Sequence, residues 1–283
     1  MNKRANRVYW LLIIMILILG FSFIISGIRK EKHKNDNDNI DVENMETTTN
    51  NESVTETTTA ETTEEESTTE GTTISPEEAQ KKLEDFYGGQ VFIGDSIMSG
   101  FANYTFKEEA PSWLNSVIFL TKVSWGISSA LSDESGPMYQ GKAQKVTTSL
   151  GEIKPERIFI NLGINEMNGL GSPGYSIDKL ISKYGELIDS IKNAVPESTV
   201  YIINITPCTE EKETSTFSNE TIKEFDKELE SKCAEWGVEY LDLASEFGDV
   251  LKPEYSSDQF VHHNDKAYSE IWVPFLEKLA LAS

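Results

Sequence analysis

Through residues 76–283, short apolar runs alternate with longer amphipathic ones. The runs 90–94 (QVFIG), 157–163 (RIFINLG), 199–205 (TVYIINI) and 239–243 (EYLDL) are brief and rich in β-branched and aromatic residues. They are mostly apolar on both faces, the pattern of strands buried from both sides. Residues 116–123 predict a further strand. Residues 176–194, 219–236 and 265–282 carry apolar positions at helical spacing. A helix over 76–87 is announced by Ser75 as N-cap, Pro76 in the first helical position and Glu77 and Glu78 in the first turn, and Gly88-Gly89 stops it. Strand alternating with helix predicts an α/β three-layer sandwich around a central, mostly parallel sheet with right-handed crossovers. In such a sheet the ligand site lies beyond the carboxyl ends of the strands.

The pattern before residue 76 differs. Residues 9–28 (YWLLIIMILILGFSFIISGI) hold no charge and are flanked by Lys3, Arg4 and Arg7 on one side and Arg29, Lys30, Lys32 and Lys34 on the other. A helix of about 20 residues spans the roughly 30 Å of a bilayer's hydrocarbon core, and Tyr9 and Trp10 stand where interfacial aromatics belong. A cleaved signal peptide would have a shorter apolar region, about 7–15 residues, ending at a small-residue site. This one ends in SGIRK, which favours an uncleaved anchor over residues 1–34. Residues 35–75 hold twelve acids, no Lys or Arg, and many Thr. With almost no large apolar side chain to bury, they predict an extended, disordered stalk. The basic residues on both flanks do not orient the span. The Thr-rich stalk favours a cytoplasmic N-terminus and an extracellular domain over 76–283.

Composition narrows the chemistry. The chain has 283 residues with 47 Asp and Glu against 25 Lys and Arg, a formal net charge of -22. That sign opposes nucleic-acid binding, which requires cations to displace counterions from phosphates. Two Cys cannot build a disulfide scaffold or a Cys-rich zinc site, and three His leave little room for a multi-His metal centre. Cys208 and Cys233 are either a pair or two buried thiols.

Candidate chemistry follows the strands. Ser96, in Gly94-Asp95-Ser96, falls at a strand-to-helix turn where free N–H groups face an anion, although Asp95 or Ser96 also suits a plain helix cap. Position 98 is Met, so the G-x-S-x-G elbow is not matched. Gly126 follows the strand at 116–123 and lets backbone approach a ligand closely; Asn165 follows 157–163 and carries an amide into the same crevice. Each also reads as an ordinary turn residue. His262 and His263 are the only histidines of residues 76–283 and stand just before the last helix, with Asp258 nearby.

Together, Ser96 in its GDS block, Gly126, Asn165 in Gly163-Ile164-Asn165 and His262 near the C-terminus resemble the GDSL family of esterases, the SGNH hydrolases, over roughly residues 90–280. The resemblance implies a flavodoxin-like sandwich with Ser96 as nucleophile, His262 as base and Asp258 orienting it. It assigns the oxyanion hole to the backbone N–H groups of Ser96 and Gly126 and the side chain of Asn165, and it requires neither a metal nor an organic cofactor. Two positions depart from the family pattern. Glu166 stands where an Asp usually follows the Asn, and Asp258 lies four residues before His262, where the family's D-x-x-H spacing is three. Either the loop bulges so that Asp258 still reaches the ring, or a Ser–His dyad operates. The implied function is a membrane-anchored cell-surface serine esterase. Its substrate class would be small esters, with O-acetylated polysaccharide preferred, and Trp125 is either a platform for a sugar ring or a core aromatic. An O-acyltransferase using the same Ser and His, or a surface module that binds without catalysis, are the rival readings.

Overall fold

The computed structural model describes residues 74–283 apart from Asp133. The predicted span over 9–28 and all of the stalk except Ile74 and Ser75 lie outside the described residues, among which no helix is long and apolar enough to cross a membrane.

Five strands form one parallel sheet: β1 (Val91–Gly94), β2 (Ile118–Thr121), β3 (Arg157–Asn161), β4 (Thr199–Ile203) and β5 (Glu239–Leu241), in the order β2-β1-β3-β4-β5. All five match predicted strands, each trimmed by a few residues. In β3, β4 and β5 the trimmed tail is the loop at the carboxyl edge. Register places Phe92 opposite Phe119 and Phe159, and Phe159 opposite Tyr201. Since side chains alternate across a strand, these rings line one face as an aromatic band across four strands. Phe92 stacks on Phe159 at 4.5 Å, and Phe159 on Tyr201 at 4.8 Å. Such contacts add about 0.5–1.5 kcal/mol each beyond area burial.

On that face lie α1 (Pro76–Tyr87) and the C-terminal helix α7 (Val273–Ala282), which pack together, while α2 (Ser96–Tyr104) adds Phe101 against Trp272. Tyr87 of α1 stacks on Trp113 and meets Phe92. The N-cap predicted at Ser75 is formed, and as a full capping box: its hydroxyl accepts from the Glu78 N–H, and the Glu78 carboxylate accepts from the Ser75 N–H. The second layer holds α3 (Ile127–Ser132), α4 (Val146–Ile153), α5 (Ile177–Ala194) and α6 (Asn219–Trp236), with α5 touching the other three. The helix expected over 265–282 is interrupted. Asp265–Ala267 is followed by a π-turn, Tyr268–Trp272, before α7. Pro274 cannot donate to the preceding turn, and the wider turn absorbs that loss. A hairpin, Met138–Tyr139 with Lys142–Ala143, leaves no signal in the sequence, because its strands are too short to show a period. Cys208 and Cys233 are both buried and free, so the second of the two cysteine readings holds.

Strand order reverses between β1 and β3, so their crossovers leave on opposite faces and a crevice opens at their carboxyl ends. The chain returns to this edge once more before the last helix, and there His263 anchors it. The Trp272 indole N–H donates to His263 Nδ1 at 2.9 Å, which leaves the ring's proton on Nε2 to face Thr206 Oγ1 at 3.1 Å. Phe247 stacks on the ring at 4.6 Å, and His263 bridges to Ser256 across the loop. Burial, reinforced by the His262 charge and opposed by Asp258, pushes the His263 imidazole down to about 3.

An unfolded His263 takes up a proton near pH 6.5, whereas the folded one resists until about pH 3, so its contribution to stability is complete above pH 6.5 and is lost as pH falls through that window. The ideal effect between pH 7 and 5 is about 2 kcal/mol. Asp95, raised to about 7 by burial, works in the opposite sense. The readout is therefore a difference: urea unfolding at pH 7 and pH 5 should show wild type losing about 2 kcal/mol more than His263→Gln, which keeps an acceptor and a donor without titrating.

Candidate active site

Ser96 is the first residue of α2, directly after β1. Asp95 caps that helix, its Oδ1 accepting the Ile97 N–H at 2.9 Å. Ser96 is thereby held half-buried at the crevice with its hydroxyl free of capping duty. His262 Nε2 lies 2.8 Å from Ser96 Oγ, joining residues 166 apart in the sequence. On the other side of the ring, Nδ1 lies 2.5 Å from Asp258 Oδ2.

The unusual spacing of Asp258 has a local cause. Gln259 adopts φ 60, in the left-handed region, so the loop makes a tight extra bend between Asp258 and His262. Asp258 Oδ1 fills the bend and accepts the N–H groups of Phe260 (2.9 Å) and His262 (3.2 Å) and the Ser256 hydroxyl. Thr209 holds the bend to the sheet edge, its hydroxyl donating to the Gln259 carbonyl and its N–H to that of Phe260. Of the two sequence alternatives, the loop bulges and the carboxylate reaches the ring. Burial pushes the Asp258 carboxyl up, but hydrogen bonds from His262 and from the Phe260 N–H outweigh it and hold it below the usual carboxylate range. The adjacent His263 faces inward on Thr206 and Trp272 and takes no part in this contact.

Asn165 sits on the helical turn Ile164–Met167 after β3. Its Nδ2 donates to Asp95 Oδ2 at 3.0 Å and to the Trp125 carbonyl at 3.1 Å, tying three strand-end segments together. The turn is entered through Gly163 at φ 132, where a side chain would be strained and its Cβ would lie 2.8 Å from Ile205. Gly126 is buried beside this group, at the start of α3. Burial raises the Asp95 carboxyl to about 7, against the Ile97 N–H, which lowers it.

Every residue singled out at the strand ends thus lies in one crevice: Ser96, His262 and Asp258 in a hydrogen-bonded row, and Gly126 and Asn165 beside them. Trp125 is different. It is 1% exposed, a core aromatic, and therefore offers no face to a sugar ring. Three participants carry no sequence motif. His263 and Thr206 reveal themselves only through the loop they anchor, and Lys183 reaches from α5 to the Ser128 hydroxyl at 2.9 Å. Among the described residues no group of three or more His, Cys, Asp or Glu is placed to hold a metal ion. Chemically, the row sets a hydroxyl beside a ring nitrogen whose far side is held by a carboxylate, the arrangement that turns a serine into a nucleophile.

The fold is shared with solved structures of low sequence identity. A Streptococcus pneumonia structure named for platelet activating factor is 18% identical, with a TM-score of 0.52 over 72% of this chain and 92% of its own. The lipase/acylhydrolase from Enterococcus faecalis is 14% identical, with a TM-score of 0.50 over 68% of this chain and 96% of its own. No curated protein matches in sequence. The model of the GDSL-like lipase/acylhydrolase family matches residues 92–269, a span that runs from β1 to beyond His262. By that match, over well more than half of its length, the chain belongs to the GDSL-like lipase/acylhydrolase family.

Proposed function

We propose that this chain is a serine carboxylic-ester hydrolase that works through an acyl-enzyme. The observation that carries the reading is the row from Ser96 Oγ to His262 Nε2 (2.8 Å) and from His262 Nδ1 to Asp258 (2.5 Å). Ser96 Oγ attacks the ester carbonyl while His262 Nε2 takes its proton. Asp258 keeps the other ring proton on Nδ1 and stabilises the imidazolium. The imidazolium then protonates the leaving alcohol. Water, deprotonated by the same ring, attacks the acyl-Ser96 and releases the acid. Charge on the carbonyl oxygen falls to the N–H groups of Ser96 and Gly126 and to the Asn165 amide, each such donor being worth roughly 2.7–4 kcal/mol. In the free protein both Asn165 amide hydrogens are engaged, by Asp95 and the Trp125 carbonyl, so its donation to the oxyanion requires sharing one of them.

The substrate class we favour is a small acyl ester on a large carrier, O-acetylated polysaccharide first. The side chains of His262 and Asp258 are 40% and 36% exposed, so the row stands at an open rim that a bulky carrier can reach. The acidity of residues 76–283 disfavours a polyanionic carrier. The uncleaved anchor and Thr-rich stalk read from residues 1–75 would tether the domain outside the cell membrane, among such glycans. The same openness favours a second reading, O-acyl transfer, in which an acceptor hydroxyl replaces water. Acetate release measured with and without an acceptor glycan separates the two.

Ser96→Ala and His262→Ala should each lower turnover of p-nitrophenyl acetate at least about 10³-fold without changing the melting temperature by more than a degree or two. Near-wild-type turnover in Ser96→Ala, or no fluorophosphonate labelling of Ser96 in the wild type, would remove the nucleophile from this reading. Asp258→Ala should cost about 10²–10⁴ in kcat. A loss of only a few-fold would leave a Ser–His dyad.

A further inference from the structure

Glu166 stands where the family pattern has a shorter acid, and the structure gives the extra methylene a place. A Cβ built on Gly126 would lie 2.1 Å from Glu166 Oε1 and 2.6 Å from its Cδ. The carboxylate therefore occupies the space that any side chain at 126 would need. It is not free to step aside. Glu166 is buried, and its Oε1 accepts the Ser128 N–H at 3.4 Å. Burial raises the Glu166 carboxyl above its usual range, opposed by the Ser128 and Ile127 N–H groups and by the Lys183 charge. Oε2 has no hydrogen-bond partner among the described residues. Lys183 holds the same loop from outside through the Ser128 hydroxyl, and Asn165 holds it through the Trp125 carbonyl.

We propose that Glu166 and Gly126 are a matched pair: the Glu166 carboxylate, lodged in the side-chain space of Gly126 and bonded to the Ser128 N–H, sets where the Gly126 N–H points. Glu166 is then a positioning residue for the oxyanion hole. It touches no substrate and acts through the loop 125–128. Its neighbour Asn165 supplies an amide to the same hole, so one turn after β3 provides one donor directly and aims another. A methyl group at 126 would evict the carboxylate and release the Ser128 N–H. A shorter acid at 166 would give the methyl room.

This inference rests on the esterase reading, and the experiment keeps the two apart. Steady-state kinetics on p-nitrophenyl acetate and melting temperatures are compared for wild type, Gly126→Ala, Glu166→Asp, Glu166→Ala, Glu166→Gln and the double variant Gly126→Ala/Glu166→Asp. Glu166→Ala and Gly126→Ala should each lower kcat about 10²-fold with KM within three-fold, the loss expected when one oxyanion donor is misplaced. Glu166→Gln, which keeps an acceptor oxygen in the same place, should recover at least ten-fold over Glu166→Ala. The double variant should exceed Gly126→Ala at least ten-fold, a coupling that two independent sites do not show. Additive losses in the double variant, or wild-type kcat in Glu166→Ala, overturn the pairing while leaving the esterase reading intact. A wild-type chain with no Ser96-dependent esterase activity defeats both. Should Glu166→Ala fail to fold, the comparison of Gly126→Ala with the double variant decides.

Discussion

A single contact between distant parts of the chain, Ser96 Oγ to His262 Nε2, organises the rest. The serine is easy to place, because a strand leading into a capped helix leaves little freedom at the first helical residue. The histidine is not. It rides on an irregular loop, and loops are the mobile part of most folds. Here the loop is anchored at both ends of its bend. Thr209 and the Asp258 carboxylate hold residues 258–262 from within, and His263 fastens the following residue to Trp272 and Thr206. The inward-facing histidine thus fixes the outward-facing one. Their adjacency is structural: neighbours in an extended segment point to opposite sides, one toward the core and one toward the crevice.

Two further carboxyl groups lie beneath the crevice, and neither is fully compensated. Asp95 and Glu166 are buried, burial raises both carboxyls, the Glu166 charge raises Asp95 further, and among the described residues no Lys or Arg is bonded directly to either carboxylate. A domain built for stability alone would not place two acids there. Asp95 instead accepts from the Ile97 N–H and the Asn165 amide, and Glu166 accepts through Oε1 from the Ser128 N–H, so each bonds the segment that carries Ser96 or Gly126. They act as internal caps, converting burial of charge into fixed backbone positions. That trade suits the oxyanion hole we propose, which would present several N–H groups to one developing charge without reorganising.

The sheet beneath is more conventional. Its aromatic band, from Phe119 through Phe92 and Phe159 to Tyr201, gives one face a stiff floor on which α1 and the C-terminal helices rest. The band is visible in the sequence in hindsight, since each of these strands carries its ring at the equivalent place in a four- or five-residue apolar run. Register is needed to see that the four places coincide.

The sequence by itself determined the strands, the principal helices, their alternation and hence the parallel sheet with its site at one edge, because these follow from local periodicity and caps. It also determined which side chains were candidates, since Ser96, Gly126, Asn165 and His262 each follow a strand or precede the last helix. Tertiary structure alone decided the rest. That Asp258 reaches His262 depends on the left-handed turn at Gln259, a conformation with no propensity signal in a Gln. That Trp125 is core, that Cys208 and Cys233 stay apart, and that Glu166 fills the space beside Gly126 are facts about distances between segments remote in the chain. Local pattern reports which face a residue prefers. It does not report what meets that face once the sheet has closed, and the site is made of such meetings.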